Sequence, residues 1–512
     1  MRRRDWLRLT LGGATLAAWE TDRAPPPVRA QPPLPAVPDA VWRRFASTLS
    51  GRLVRPDARD YARARRLYDP SYDDVRPAAI VFCASQDDVR RTIELARAHG
   101  LPFTARCGGH SYGGYSTCEG IVCDVGGLSA VTVDRAARTA TIGAGARLID
   151  VYAGTAPHSL AVPGGTCASV GISGLTLGGG QGVLGRKHGL TCDSLRALTL
   201  ITAAGDVVTC DASDNEDLYW ASRGAGGGNF GVATSFTFDA YPVDTLTRFS
   251  ARFTWAAARD VVAGWQEWMQ GAPPELWSAL HLNTSGTARG ASLAGCYAGP
   301  ERALAPHLAA LRRRMGRALR RAPSTITAGY LDTMRAEAGC SERTIDECHL
   351  PTAREGGQLG RRSHEGFSNI YRAPLTTRGI AALVELIEAR GPDAAGAGGV
   401  AIDALGGAID RLAPDATAFV HRGAFAIAQC STHWPARVTE AQIRANRAWH
   451  RQLRRTMARH VGGGAYVNYI DPALRDHETV YYGDNLARLR QIKARRDPDG
   501  FFRFAQGIRA SG

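Results

Sequence analysis

Two stretches of this chain pair a nucleophilic side chain with glycine-rich backbone. One is Arg106-Cys107-Gly108-Gly109-His110-Ser111-Tyr112-Gly-Gly; the other is Gly164-Gly165-Thr166-Cys167-Ala-Ser-Val170-Gly171, continuing through Gly174, Gly178, Gly179 and Gly180 to Gly182. An imidazole nitrogen and a thiol sulfur can each bond covalently to an electrophile, and glycine lets backbone approach a ligand closely. Such loops can cradle a phosphate or pyrophosphate on free N–H groups, but they also make ordinary tight turns. Taken singly, His110 reads as a surface-turn histidine and Cys167 as a buried or disulfide-bonded cysteine. Together, the two loops point to a cofactor held covalently.

The elements that must position these loops are legible nearby. Ile80-Val-Phe-Cys83 is strand-like, Ser85-Gln-Asp-Asp88 has the form of a capping box, and Val89, Ile93 and Ala96 recur at helical spacing until Gly100. The strand Leu101–Arg106 then delivers the chain into the His110 loop. Ala130–Val133 with Thr139–Ile142, and Leu198–Thr202 with Val207–Thr209, read as hairpins around polar turns. Gly180–Gly185 and Gly226–Gly231 both match G-x-G-x-x-G, with Asp206 near the spacing of a ribose-binding acid. Gly189 interrupts the helix that should follow the first match, and Asp206 falls in a turn, so a nicotinamide fold is the minor reading.

Further blocks follow in order: Gly185-Arg-Lys-His-Gly-Leu-Thr-Cys-Asp193, Arg223-Gly-Ala-Gly-Gly-Gly-Asn-Phe-Gly231-Val232, Ala465-Tyr466-Val-Asn468-Tyr469-Ile-Asp471, Tyr482-Gly-Asp-Asn485 and Asp497-Pro-Asp-Gly-Phe-Phe-Arg-Phe504. From about Pro77 to the end, the chain resembles the berberine-bridge-enzyme-like branch of the vanillyl-alcohol-oxidase (PCMH-type FAD-binding) superfamily. The resemblance implies an α+β fold: a two-part FAD-binding domain with an inserted substrate domain whose antiparallel sheet covers the flavin. It implies FAD tethered twice, through His110 to the 8α-methyl and through Cys167 to ring carbon 6, with the two loops, Gly231, Val232 and Asn468 around the cofactor. It places the catalytic base at Tyr469, with Tyr466 as the backup, and puts Gln429 near the ring as a substrate-orienting amide. A phenol with pKa about 10 needs a cationic or hydrogen-bonding neighbour to act as a base at neutral pH. Two positions depart from the family pattern: Gln181 stands where many members carry an aromatic, and Leu405 where others carry tyrosine.

The expected organisation is a leader at 1–30, a linker and N-terminal segment at 31–70, the FAD-binding domain at 71–245, the substrate domain at 246–464 and a returning C-terminal segment at 465–512. A length of 512 residues is too long for one ordinary core. The head Arg2-Arg3-Arg4, a short apolar middle and a small-residue site ending at Ala30 have the form of a twin-arginine export signal, implying a periplasmic or secreted enzyme that uses that export machinery. Without the leader the formal charge of +14 becomes +11, spread along the chain as arginine. That distribution fits a solvated basic surface, not a nucleic-acid interface. No apolar run approaches the roughly twenty residues of a membrane span. Among eleven cysteines, Cys118 with Cys123 and Cys340 with Cys348 are near enough to form local staples, and no paired C-x-x-C set suggests a metal site. The resemblance implies a small-molecule alcohol as substrate, either an oligosaccharide or a hydroxyl-bearing metabolite, with molecular oxygen as acceptor. A dehydrogenase, an oxidative cyclase or a non-catalytic flavin binder are the alternatives.

Overall fold

The computed structural model describes residues 34–435 and 437–511, so the expected export leader lies outside the described residues. The first sheet contains β1 (Arg52–Val54), β2 (Ala79–Phe82), β3 (Phe103–Arg106) and β4 (Ile121–Asp124), in the order β1-β2-β4-β3. β4 runs parallel to both β2 and β3, and β1 closes the edge antiparallel. Parallel neighbours need a crossover, supplied between β2 and β3 by the helix Gln86–Ala98. Ser85 caps that helix by accepting from Asp88 N, and Val89, Ile93 and Ala96 face inward. Only half of the expected capping box forms. The Asp88 carboxylate accepts instead from the backbone N–H groups of Ser50, Gly51 and Ala84, tying the N-terminal segment to the sheet. Within the stretch expected to be linker, Asp39–Ala46 is a helix that buries Trp42 and Phe45, and β1 joins the sheet.

Both expected hairpins form within the second, five-stranded sheet. There β5 (Val131–Asp134) pairs with β6 (Thr139–Gly143), and β8 (Leu195–Ile201) pairs with β9 (Val207–Cys210). β10 (Val232–Asp239) lies between β6 and β8, and the short strands β7 (Leu160–Ala161) and β11 (Tyr241–Pro242) pair separately. The helix after Gly185 is only four residues long, and Asp206 sits in the β8–β9 turn, which disposes of the nicotinamide reading.

The third sheet comprises β12 (Thr245–Phe253), β13 (Leu276–Ser285), β14 (Ala288–Tyr297), β15 (Ser324–Gly329), β16 (Ser363–Tyr371), β17 (Ala397–Ala404) and β18 (Ala426–Trp434). Its order is β15-β12-β14-β13-β17-β18-β16, antiparallel throughout. Successive side chains alternate between faces. Val400, Ile402, Ala404, Ala426, Ala428, Cys430 and Phe367 therefore enter one core with Trp265, Leu383 and Leu453 from the covering helices. The alternate residues form the opposite face, which bears the candidate site. The C-terminal segment returns to the cofactor domain: Lys493 Nζ, buried, donates to Asn229 O, Phe502 O and Asp497 Oδ2, each at 2.6 Å. Tyr482 donates to Ala225 O, and Ile508 N to Asn229 Oδ1.

The expected Cys118–Cys123 staple is corrected. All eleven cysteines are thiols, the Cys118 sulfhydryl points to Ile121 O at 3.5 Å, and Cys123 lies 3.6 Å from Cys83 on the neighbouring parallel strand. Short sequence separation did not produce pairing, because residues 118 and 123 lie on opposite sides of the turn into β4. The expected Cys340–Cys348 staple is not formed either: both are buried free thiols, with Cys348 Sγ 3.8 Å from Cys340 O.

Candidate active site

The two glycine loops lie backbone to backbone. A Cβ on Gly108 would fall 2.4 Å from Gly171 N and 2.9 Å from Ser169 O, and one on Gly171 would fall 2.1 Å from Cys107 Sγ. Only glycine permits that approach. It brings His110 within reach of the Cys167 loop, where its Nε2 is 2.9 Å from Ser169 Oγ. The imidazole stacks on Tyr68 with ring centroids 4.2 Å apart. Burial, with His364 and Arg147 nearby, pushes its pKa down to about 3, leaving the ring neutral. Cys167 carries exposed surface, yet surrounding protein raises its thiol pKa and Thr166 hydrogen-bonds to it.

The other expected cofactor residues form the scaffold. Arg106 turns behind the loop, where its Nε is 2.5 Å from Asp124 and its Nη2 donates to Ala64 O. Ser111 Oγ accepts from Tyr115 N, while the carbonyls of Cys167 and Gly109 accept from Val170 N and Tyr68 N. Tyr152 donates to Gly165 O, and a Cβ on Gly182 would fall 1.8 Å from Gly164 O. Gly174, in the helix Ile172–Leu177, faces open space, whereas a Cβ on Gly178 would sit 2.1 Å from Asn468 Oδ1. Val232 opens β10 against Ile201, and Gly231 passes close to Ile201 O. Among the described residues, no backbone N–H from Gly108 to Gly113 donates to a protein acceptor. A run of unpartnered N–H groups in a glycine loop is a cradle for an anionic group. With a neutral imidazole and a thiol beside it, the donor set fits a dinucleotide cofactor with an electrophilic ring.

Tyr466 and Tyr469 have different tasks. Tyr466 is buried, and its hydroxyl oxygen accepts from Gly180 N at 2.7 Å and from Asn468 Nδ2 at 2.9 Å. Asn468 also donates to Leu175 O. Tyr466 is thus committed to pinning the glycine run. Tyr469 is half-buried, stacks on Tyr112 at 5.6 Å, and accepts from Gln181 Nε2 at 2.9 Å. Tyr112 in turn receives the Gln429 amide. Among the described residues, no cation figures in the principal influences on the Tyr469 phenol. Burial, the Asp403 carboxylate and the neighbouring tyrosines raise its pKa well above the ordinary phenol range. Tyr469, the base implied by the resemblance, is thus held as a neutral phenol, and Gln181, marked in the sequence only as a departure, is the residue that positions it.

Asp403 was missed altogether. Burial raises its carboxyl pKa to about 6, against an opposing hydrogen bond from Gln181. β17 and β18 pair Ala401 with Gln429 and Asp403 with Ile427, and β16 pairs His364 with His433 and Ser368 with Gln429. The period of two therefore sets Asp403, Gln429, His364 and His433 on one face. The available signal was a lone acid in the apolar run Gly399-Val-Ala-Ile-Asp-Ala404, alternating with core residues. His364 was missed too. Its ring meets Tyr112 edge-on at 4.5 Å, and its Nδ1 is 3.2 Å from buried Asp69. Burial opposes the Asp69 charge, but hydrogen bonds from His364 and Ser71 outweigh it and lower its pKa.

A family model described as FAD binding domain matches residues 77–211, and one described as berberine and berberine like matches residues 465–509. The uncharacterized FAD-linked oxidoreductase YgaK of Bacillus subtilis is 35% identical over 90% of this chain and 97% of its own length. The chain belongs to the berberine-bridge-enzyme-like FAD-linked oxidoreductases. Its cofactor is FAD, and the α+β PCMH-type architecture is the family fold. A chitooligosaccharide oxidase of Gibberella zeae is 28% identical over 85% of this chain and 87% of its own. The solved Physcomitrella patens BBE-like 1 superimposes with a TM-score of 0.83 at 27% identity, covering 92% of this chain and 99% of that one. Within this family, the site described above lies between the FAD-binding loops and the polar face of the third sheet.

Proposed function

We propose that this FAD-linked oxidoreductase holds its flavin by two covalent bonds, through His110 and Cys167, and oxidises an alcohol with molecular oxygen as the final acceptor. The observation that carries the reading is Asp403. It is a carboxyl group whose pKa lies near neutrality, on the same sheet face as Gln429 and in the electrostatic field of Tyr469. When bound, FAD supplies the acceptor for the hydride that leaves the alcohol carbon.

The protein's own residues handle the proton. Tyr469 stays protonated at neutral pH, so its hydroxyl binds and orients the substrate oxygen, with Gln181 fixing its direction. Asp403 is ionised above about pH 6 and takes up the proton released as the alcohol becomes a carbonyl. Gln429 and Tyr112 form the facing wall, where an amide donor and a phenol suit a hydroxyl-rich substrate. The relative named as a chitooligosaccharide oxidase supports a carbohydrate alcohol within that class. The twin-arginine leader read from residues 1–30 supports action outside the cytoplasm, with the folded, FAD-loaded chain as the export substrate.

The test is a panel of oligosaccharides and hydroxylated metabolites mixed anaerobically with purified protein, followed by oxygen uptake in air. Bleaching of the visible flavin bands together with oxygen consumption is the expected result. Bleaching without oxygen uptake makes the enzyme a dehydrogenase. A flavin that no alcohol bleaches removes the alcohol-oxidation reading.

A further inference from the structure

The polar face of the third sheet continues well past the candidate alcohol site. Gln429 pairs with Ala401, Ala401 with His281, His281 with Ser292 and Ser292 with Arg252, so β18, β17, β13, β14 and β12 give one residue each to a single row. Directly paired residues project on the same side of a sheet. Their alternates Cys430, Val400, Leu282, Leu293 and Phe253 enter the core on the other side. Four strand spacings separate the ends of the row, roughly 19 Å at about 4.8 Å each. Gln429, Ala401, His281 and Ser292 are half-buried and Arg252 is exposed, so every member keeps surface open to solvent. His281 makes no hydrogen bond among the described residues. The row is thus a floor of small or neutral polar side chains that ends in a guanidinium.

The far end of that floor is strongly basic. Arg252 has no ion-pair partner among the described residues. The segment that follows the helix Glu301–Met315 runs beside it: Leu319 bridges to Phe253, and Arg320 N donates to Arg252 O at 2.9 Å. Six of the ten residues from Arg312 to Arg321 are arginines, and no Asp or Glu occurs between Arg302 and Pro323. All six are exposed, and among the described residues only Arg314 meets a carboxylate, Glu267 at 3.8 Å. Arg312, Arg313 and Arg314 lie in the last helical turn, where cations complement the helix dipole. Arg320 and Arg321 lie beyond the helix and have no such explanation; Arg320 Nε donates to Phe253 O, which holds its guanidinium at the end of β12.

We propose that Arg252, Arg320 and Arg321 form a subsite for anionic groups of the substrate, about 19 Å from the alcohol being oxidised, and that the preferred substrate is an acidic oligosaccharide. The inference rests on the alcohol-oxidation reading and names the substrate class for that site. A sugar chain laid along the row puts its reacting hydroxyl beside Asp403 and Gln429, further hydroxyls over His281 and Ser292, and its carboxylates on the guanidinium forks. The surrounding positive charge raises the local concentration of such a chain. The row contains no Phe, Tyr or Trp on which a nucleobase would stack, which favours a glycan over a nucleic acid.

Binding to the FAD-loaded enzyme is measured by calorimetry for a hexameric oligouronate, the neutral hexamer of the same linkage, and a uronate disaccharide shorter than the row. The acidic hexamer should bind at least tenfold tighter than the neutral one. That advantage should vanish for the disaccharide and shrink at high salt, as exposed charges are screened. Arg252→Ala/Arg321→Ala, at exposed positions, should remove at least fivefold of the advantage, and Arg252→Lys/Arg321→Lys should keep most of it. Equal affinity for the two hexamers overturns the subsite, as does an advantage that survives in the alanine variant. A single-stranded DNA of matched charge that binds as tightly through the same arginines also overturns it, since the surface then takes any polyanion. Flavin bleaching by the same sugars is read separately. Tight, arginine-dependent binding without bleaching keeps the subsite and removes the alcohol-oxidation reading. Bleaching with no preference for the acidic hexamer keeps that reading and removes the subsite.

Discussion

The two walls of the active site are built in opposite ways. The wall carrying His110 and Cys167 is made of contiguous segments in which every few residues is a glycine, and its chemistry rests on close backbone approach, as between Gly108 and Gly171. The facing wall is made of β16, β17 and β18, where His364, Asp403 and Gln429 converge only through antiparallel register. Under the proposed function, the first wall would hold the flavin and the second would handle the proton. A loop wall fails by steric intrusion, whereas a sheet wall fails by the loss of one functional group from an otherwise intact frame.

The largest expected effect breaks the loop wall. The His110→Ala/Cys167→Ala double variant should release its FAD on acid denaturation, while wild type and each single variant retain it, as read by intact mass and the visible spectrum. Free FAD from wild type would remove both attachment assignments.

Asp403→Asn breaks the sheet wall with the frame left standing. Turnover should fall about 10²- to 10⁴-fold at neutral pH, the range for loss of a general base. The remaining rate should also lose the limb centred near pH 6. Stability should move the other way. A carboxyl whose folded pKa is raised from 3.8 to about 6 contributes fully below the unfolded value, and that contribution is lost as pH rises through the folded one. The asparagine variant should therefore gain on wild type between pH 4 and 6 and keep at most about 3 kcal/mol above that window, at 1.36 kcal/mol per unit. Denaturant melts at pH 4 and pH 8 check it; equal stabilities at both would contradict the buried charge.

The two tyrosines of one motif sharpen the contrast. Tyr469→Phe should lower kcat with little change in Tm. Tyr466→Phe removes the acceptor for Gly180 N and Asn468 Nδ2. Leaving such buried donors unmade costs about 1–3 kcal/mol, so that variant should lose stability and flavin retention ahead of turnover. The smallest effect is expected for Gly178→Ala. Its Cβ would meet the Asn468 side chain, which can shift but not without loosening the contact to Leu175 O, so a modest fall in Tm is the readout. A fall as large as that of Tyr466→Phe would mean that Asn468, and not Tyr466, pins the loop.

Local sequence determined a good deal of this protein. The helix over residues 86–98 with its Ser85 cap, the two hairpins, the glycine loops and the family followed from patterns a few residues long, because caps, turns and close backbone approach depend on near neighbours. The structure also brings His110, the Cys167 loop, Tyr112, Gln429 and Tyr469 into one neighbourhood. Only tertiary structure decided what surrounds them. Whether Tyr469 meets a cation or a carboxylate depends on the register of β17, more than sixty residues earlier in the chain. Cys123 faces Cys83 and not Cys118 because parallel pairing of β2 and β4 outweighs sequence distance. Asp403 was an ordinary strand residue until the sheet gave it a face, since its pKa is set by burial and by groups brought from elsewhere in the chain.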